Sequence, residues 1–126
     1  MRESTRDVAD GVDAPAGATA LVTGGAGFVG SHVARALLPD NEVIVVDDLS
    51  TGSRSKVPDD ATFVEADLRD EAALSAAMDG VDVVFHQAGL VSVPESVERP
   101  RESHGRNVEA TLSLLEAARR VDARVV

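Results

Sequence analysis

Gly24, Gly27 and Gly30 recur at intervals of three, directly after the apolar run Ala20-Leu21-Val22 and at the head of a segment in which Val29, Val33 and Leu37 repeat every four residues. The run predicts a strand buried on both faces, and the repeat predicts a helix that ends near Pro39-Asp40-Asn41. Glycines placed at such a strand-to-helix corner confine the chain to few folds. Gly24 takes the turn out of the strand, Gly27 lets backbone approach a pyrophosphate with no Cβ in the way, and Gly30 lets helix and strand pack closely. The helix N-terminus adds unpaired N–H groups and a partial positive charge, about 0.3–2 kcal/mol for a bound anion. No Gly-Lys-Ser/Thr follows, which excludes a phosphate-binding P-loop. A tight turn without a ligand is the plainer reading of the same residues.

The β-branched run Val43-Ile44-Val45-Val46 predicts a second buried strand and completes one βαβ unit. A polar loop from Leu49 to Asp60 leads to Thr62-Phe63-Val64, read as a third strand. Asp70 then caps an Ala-rich helix running to about Met78, and Gly80 stops it. Val81 to Phe85 is a fourth strand. A loop with Pro94 and Pro100 precedes a long helix with the stripe Val108, Leu112 and Leu115, and Arg124-Val125-Val126 is a fifth strand cut short. Strands alternating with helices give an α/β fold: a Rossmann-type doubly wound parallel sheet of order 3-2-1-4-5, incomplete at its fifth strand. Residues 1–18 carry charged and small residues without apolar periodicity and are expected to be a disordered acidic tail, which leaves 19–126 as the domain.

Composition narrows the partners. The chain has 126 residues, 44% of them hydrophobic and 27% charged, enough for a packed core. Its net charge of −10 opposes phosphate backbones and anionic lipid, so neither nucleic acid nor membrane is expected as a partner. No signal peptide or membrane-span pattern is present, and a cytoplasmic location is expected. There is no Cys, hence no thiolate chemistry, and no Tyr. Lys56 is the one Lys among twelve basic residues, an Arg bias that, with the acidity, is similar to proteins of salt-rich cytoplasm.

Asp47 closes the second strand, a little short of the roughly 20-residue offset expected between the glycines and an acidic residue on the adenosine ribose. A 2′-phosphate would meet like charge there, which favours NAD over NADP. Asp47 can also be read as a loop-capping residue, and Asp48 equally so; Asp48 argues against Arg54 rescuing a phosphate. Asp67, after the third strand, is either an N-cap or an adenine-side contact. His32, His86 and His104 lack metal-ligand spacing; His86 reads as a hydrogen-bonded structural residue, and no metal is expected. Ser92 and Ser96 read as polar loop residues rather than nucleophiles.

The stretch Thr23-Gly24-Gly25-Ala26-Gly27-Phe28-Val29-Gly30-Ser31-His32, with Val46-Asp47-Asp48-Leu49-Ser50-Thr51-Gly52, resembles the extended short-chain dehydrogenase/reductase family. Within it, Phe85-His86-Gln87-Ala88-Gly89-Leu90 and Ser92 through Pro100 are similar to the sugar-nucleotide epimerases and dehydratases, the UDP-glucose 4-epimerases among them. Asn107-Val108, Thr111-Leu112 and Leu115 through Arg119 continue the likeness. The resemblance implies NAD as cofactor, with Phe28 and Val29 along the pyrophosphate and Asp47, Asp48, Leu49, Ser50, Thr51 and Gly52 holding the adenosine. It implies Asp67 and Leu68 at the adenine, Gln87, Ala88, Gly89 and Leu90 along the nicotinamide, and Asn107 behind it. Val91 departs from a Lys found in some of these epimerases, and Ala110 from a frequent Gly.

That family's catalytic step uses a Ser/Thr and a Tyr-x-x-x-Lys beyond the fifth strand, the Tyr removing the sugar hydroxyl proton while NAD takes hydride. This chain has no Tyr, and Lys56 lies in the adenosine-side loop. A phenol near pKa 10 acts as a base only when a cation beside it lowers that value, and nothing here replaces the pair. The expectation is an NAD site without catalytic residues, with a nucleotide-sugar as partner only in a full-length form. The competing readings are a non-catalytic NAD-sensing or partner-binding module and a gene remnant.

Overall fold

A computed structural model describes residues 15–88 and 100–126, with backbone alone for 103–106. Strand β1 (Thr19–Thr23) leads through the glycine corner into α1 (Phe28–Leu37) and β2 (Glu42–Asp47). A 3₁₀ turn at Arg54–Lys56 precedes β3 (Thr62–Glu65), α2 (Glu71–Met78) and β4 (Val83–His86). Next among the described residues come α3 (Pro100–His104), a π-helical stretch (Gly105–Glu109), α4 (Ala110–Val121) and β5 (Arg124–Val125). All strand pairings are parallel, in the order β3-β2-β1-β4-β5 that the alternation of elements implies. In register, Thr23 lies beside Val46 on one side and His86 on the other, so the carboxyl ends of the three inner strands finish at one level. That shared level is where a ligand crevice opens in such sheets.

Both faces of the sheet are covered. Ala20, Val22, Val43, Val45 and Val83 pack with Ala34 and Leu37 of α1. Leu21, Val46 and Val84 pack with Leu74, Ala77 and Met78 of α2 and with Leu114, Ala117 and Ala118 of α4. The strands are therefore apolar on both sides, as their unbroken runs of Val, Leu and Ile require.

Two helix stripes differ from the sequence expectation. In α1 the buried residues are Gly30, Ser31, Ala34 and Leu37, while Val29 is 57% exposed. The first turn of α1 overhangs the crevice instead of the sheet, so Val29 turns away from the core. In α4 the inner face is Ala110, Leu114, Ala117 and Ala118, whereas Leu112 and Leu115, and Val108 in the π-helical stretch before it, are 58%, 45% and 40% exposed. Both stripes have helical spacing, and periodicity alone does not choose between them. Alanines allow the close approach to α2 and the sheet, and the larger residues are left outside.

The ends of elements also shift. The fourth strand begins at Val83, two residues later than expected; Asp70 caps α2 through a 3.2 Å bond from the Ala73 N–H, and Gly80 leaves it at φ +81°. Residues 15–18, assigned to the tail on composition, are tied to the turn after α1. Gly17 donates to the Asp40 carbonyl, Ala18 donates to Asn41 Oδ1, and Asn41 Nδ2 donates to the Pro15 carbonyl. Residues 1–14 and residues 89–99, among them Gly89, Leu90, Ser92 and Ser96, lie outside the described residues. No described helix is long and apolar enough to cross a membrane.

Candidate functional site

The fold requires two of the three glycines, each for a different reason. Gly24 has φ +71°, and a Cβ there would stand 2.8 Å from the backbone of Ala88 and Gln87. At Gly30 a Cβ would lie 2.2 Å from the Gly24 carbonyl oxygen, so α1 seats against the corner only without one. Gly27 is the exception. Its backbone is extended, with φ −90° and ψ −178°, and a Cβ would meet nothing closer than the Gly24 oxygen at 3.4 Å, an ordinary contact. The polypeptide does not need a glycine at 27. Sequence reading did not single out Gly25, where a Cβ would meet the Val45 side chain at 2.5 Å.

Gly27 stands at the N-cap of α1, and no side chain caps that end. Its position looks into a crevice of about 320 Å³ at the carboxyl ends of β1, β2 and β4. Of the residues expected to hold a cofactor, Gly24, Gly27, Phe28, Val29 and Gly30 line it from the corner and α1. Asp47, Asp48, Ser50 and Thr51 line it from the loop after β2, Asp67 and Leu68 from the loop after β3, and Gln87 and Ala88 from the end of β4. Leu49, Gly52 and Asn107 are not among the lining residues, and Gly89 and Leu90 lie outside the described residues. Val46, Ala66 and Ala110 line the crevice without having been singled out. They are apolar wall residues, which no motif distinguishes from core.

Asp47 organises the corner. Its Oδ2 accepts the Ala26 N–H at 2.9 Å and its Oδ1 accepts the Leu49 N–H at 2.7 Å. A carboxylate has about four lone-pair sites, so two remain for a ligand's hydroxyls. Leu49 sits at φ 62°, a conformation held by that bond. The loop returns to the same residue on its other side: the Ser53 N–H donates to the Ala26 carbonyl at 2.9 Å, and a Cβ on Gly52 would strike that oxygen at 2.6 Å. Gly52 and Leu49 therefore shape the loop from behind the wall.

Asp67 does not cap α2; Asp70 does. Instead Asp67 takes a two-pronged ion pair from Arg69, Nε to Oδ1 at 3.0 Å and NH2 to Oδ2 at 2.7 Å. The hydrogen bond to Asp67, and then its charge, raise the Arg69 pKa above its ordinary value. Both side chains are substantially exposed, so the pair adds little to stability. Deeper in, Thr23 is fully buried, and its Oγ1 lies 2.8 Å from His86 Nδ1. His86 Nε2 lies 3.0 Å from Thr111 Oγ1, so both ring nitrogens are engaged within the fold. Burial pushes the His86 pKa below its ordinary 6.5. His32 is exposed and donates from Nδ1 to the Phe28 carbonyl. Among the described residues no three His, Asp or Glu side chains gather as a metal site would require.

Sheet order, glycine corner and crevice define a Rossmann-type nucleotide-binding domain. The chain belongs to the NAD-dependent epimerase/dehydratase family, whose pattern it matches over residues 20–126. It is 44% identical over 108 residues to a UDP-glucose 4-epimerase of Streptomyces lividans, covering 82% of this chain and 33% of that one. A UDP-glucose 4-epimerase from Klebsiella pneumoniae is 39% identical over 109 residues, 79% of this chain and 78% of its own. The crystal structure of a UDP-glucose 4-epimerase from Brucella ovis in complex with NAD superposes with a TM-score of 0.80 at 41% identity, covering 86% of this chain and 34% of the other. The chain thus spans about a third of the Streptomyces and Brucella enzymes.

Proposed function

We propose that the crevice binds NAD and that this chain supplies the cofactor-binding part of a UDP-glucose 4-epimerase-type enzyme acting at the sugar C4. Gly27 carries the reading. It lines the crevice at an uncapped helix N-terminus and lacks a side chain that the fold would accept, so a ligand held close against that backbone accounts for the glycine. A pyrophosphate fits that space, with its charge on the N–H groups of α1 and no Cβ in its path. The two unused lone-pair sites of Asp47 suit the adenosine ribose, with the loop 48–52 beside them. Asp67 and Leu68 flank the adenine, and Gln87 and Ala88, with Gly89 and Leu90 beyond them, run along the nicotinamide. Asn107 belongs behind the nicotinamide. Bound NAD supplies the acceptor and donor of hydride.

The nucleotide-sugar is the partner of a longer form carrying the Tyr-x-x-x-Lys, which is not among these 126 residues. The chain alone is a binding protein.

Calorimetric titration with NAD tests the assignment. Gly27→Val and Asp47→Ala should each weaken binding by roughly tenfold or more, about 1.4 kcal/mol. NADP should bind more weakly than NAD, because the Asp47 carboxylate repels a 2′-phosphate. Affinity unchanged in both variants would refute the placement.

A further inference from the structure

Thr23 and His86 stand side by side in register at the ends of β1 and β4. Thr23 Oγ1 accepts the backbone N–H of Gln87 at 2.9 Å, a donor shared with the Thr23 carbonyl at 3.2 Å, and the N–H of Ala88 at 3.0 Å. A hydroxyl oxygen has two lone pairs and one proton. Both lone pairs are taken, so the proton points to His86 Nδ1, 2.8 Å away. Across the ring, Thr111 Oγ1 donates to the Asn107 carbonyl and is left as acceptor for His86 Nε2, 3.0 Å away. The two ends impose one tautomer, with Nδ1 bare and Nε2 protonated.

We propose that His86 is a positioning residue for the crevice: by accepting the Thr23 hydroxyl proton at Nδ1, it keeps both Thr23 lone pairs on the Gln87 and Ala88 amides that form the wall. The inference rests on the reading of the crevice as an NAD site. Clearance there is small, since the Ala88 backbone already lies 2.8 Å from where a Cβ on Gly24 would be. A donor at Nδ1 would oppose the Thr23 hydroxyl, and turning that hydroxyl away would cost one of the two amide bonds. Around the ring, β1 presents Thr23, α4 presents Thr111, and β5 leads to Val126, whose carbonyl accepts the His86 backbone N–H. Burial is the cause of the lowered pKa of the ring, and it favours the neutral form that this chain of bonds needs.

NAD titration of the 126-residue chain tests this with His86→Leu, His86→Gln and His86→Asn beside the wild type. An Asn side-chain oxygen falls where Nδ1 sits, whereas a Gln side chain reaches only the Nε2 position. His86→Leu and His86→Gln should weaken NAD binding by roughly threefold to tenfold, the range of one lost hydrogen bond. His86→Asn should restore most of that loss. Long-range proton–nitrogen NMR spectra of the ligand-free protein should show Nε2 protonated and Nδ1 bare at neutral pH. If the wild type binds NAD and all three variants match it, or if the proton is on Nδ1, the positioning role is overturned and the cofactor assignment stands. If the wild type does not bind NAD, the cofactor assignment fails and takes this inference with it.

Discussion

Both carboxylate oxygens of Asp47 hold backbone amides, from Ala26 and from Leu49, so this side chain is part of the fold before any ligand arrives. Asp47→Asn puts an NH2 group against one of those donors and should lower stability by about 1–3 kcal/mol in urea unfolding. The glycines separate in the same experiment. Gly30→Ala drives a Cβ into the Gly24 carbonyl and should cost at least about 2 kcal/mol, whereas Gly27→Ala should stay within about 1 kcal/mol of wild type. His86 adds a pH dependence of known sign. Its folded pKa lies below 6.5, so the unfolded chain binds the extra proton first. The stabilisation is complete above about pH 6.5 and is lost as pH falls toward the folded value; thermal melts between pH 7.5 and 5 should show it, and His86→Asn should flatten it.

Among the elements, strands were the most legible in the sequence, because unbroken runs such as Val43 to Val46 can satisfy themselves only in a sheet covered on both sides. Helix faces were less so. Leu112 and Leu115 keep helical spacing as faithfully as Ala110, Leu114 and Ala118, and only contact with α2 and the sheet decides which set goes inside. Leu114→Ala should therefore cost about 2–5 kcal/mol, and Leu112→Ala no more than about 0.5 kcal/mol. At the start of α2, Asp70→Ala should cost about 0.5–2 kcal/mol by removing the acceptor for the Ala73 N–H. The site divides the same way. Gly24 and Gly30 were readable because a turn and a close helix–strand approach restrict residue type, and Asp47 because it ends the second strand near the roughly 20-residue offset from the glycines; the amide bonds to Asp47 came only with the structure. Thr23 was not, since its role depends on Gln87 and Ala88, more than sixty positions away and adjacent only once β1 and β4 have paired.

At the scale of the whole molecule, 22 acidic residues against 12 basic ones leave a net charge of −10, and self-repulsion of that size weakens a compact state. Molar salt should raise the melting temperature, the result expected of a protein adapted to a salt-rich cytoplasm; a melting temperature indifferent to salt would count against that adaptation. The same 126 residues should bind NAD and yet convert no UDP-glucose to UDP-galactose, since they contain no Tyr and Lys56 sits on an exposed 3₁₀ turn. Gly27 carries a last consequence, for descent rather than for folding. Should a lineage keep this architecture and abandon its dinucleotide, position 27 is free to drift to alanine or serine, while 24 and 30 stay fixed for mechanical reasons. Substitutions gathered at that one corner would date the loss of the ligand, independently of whether the protein still folds.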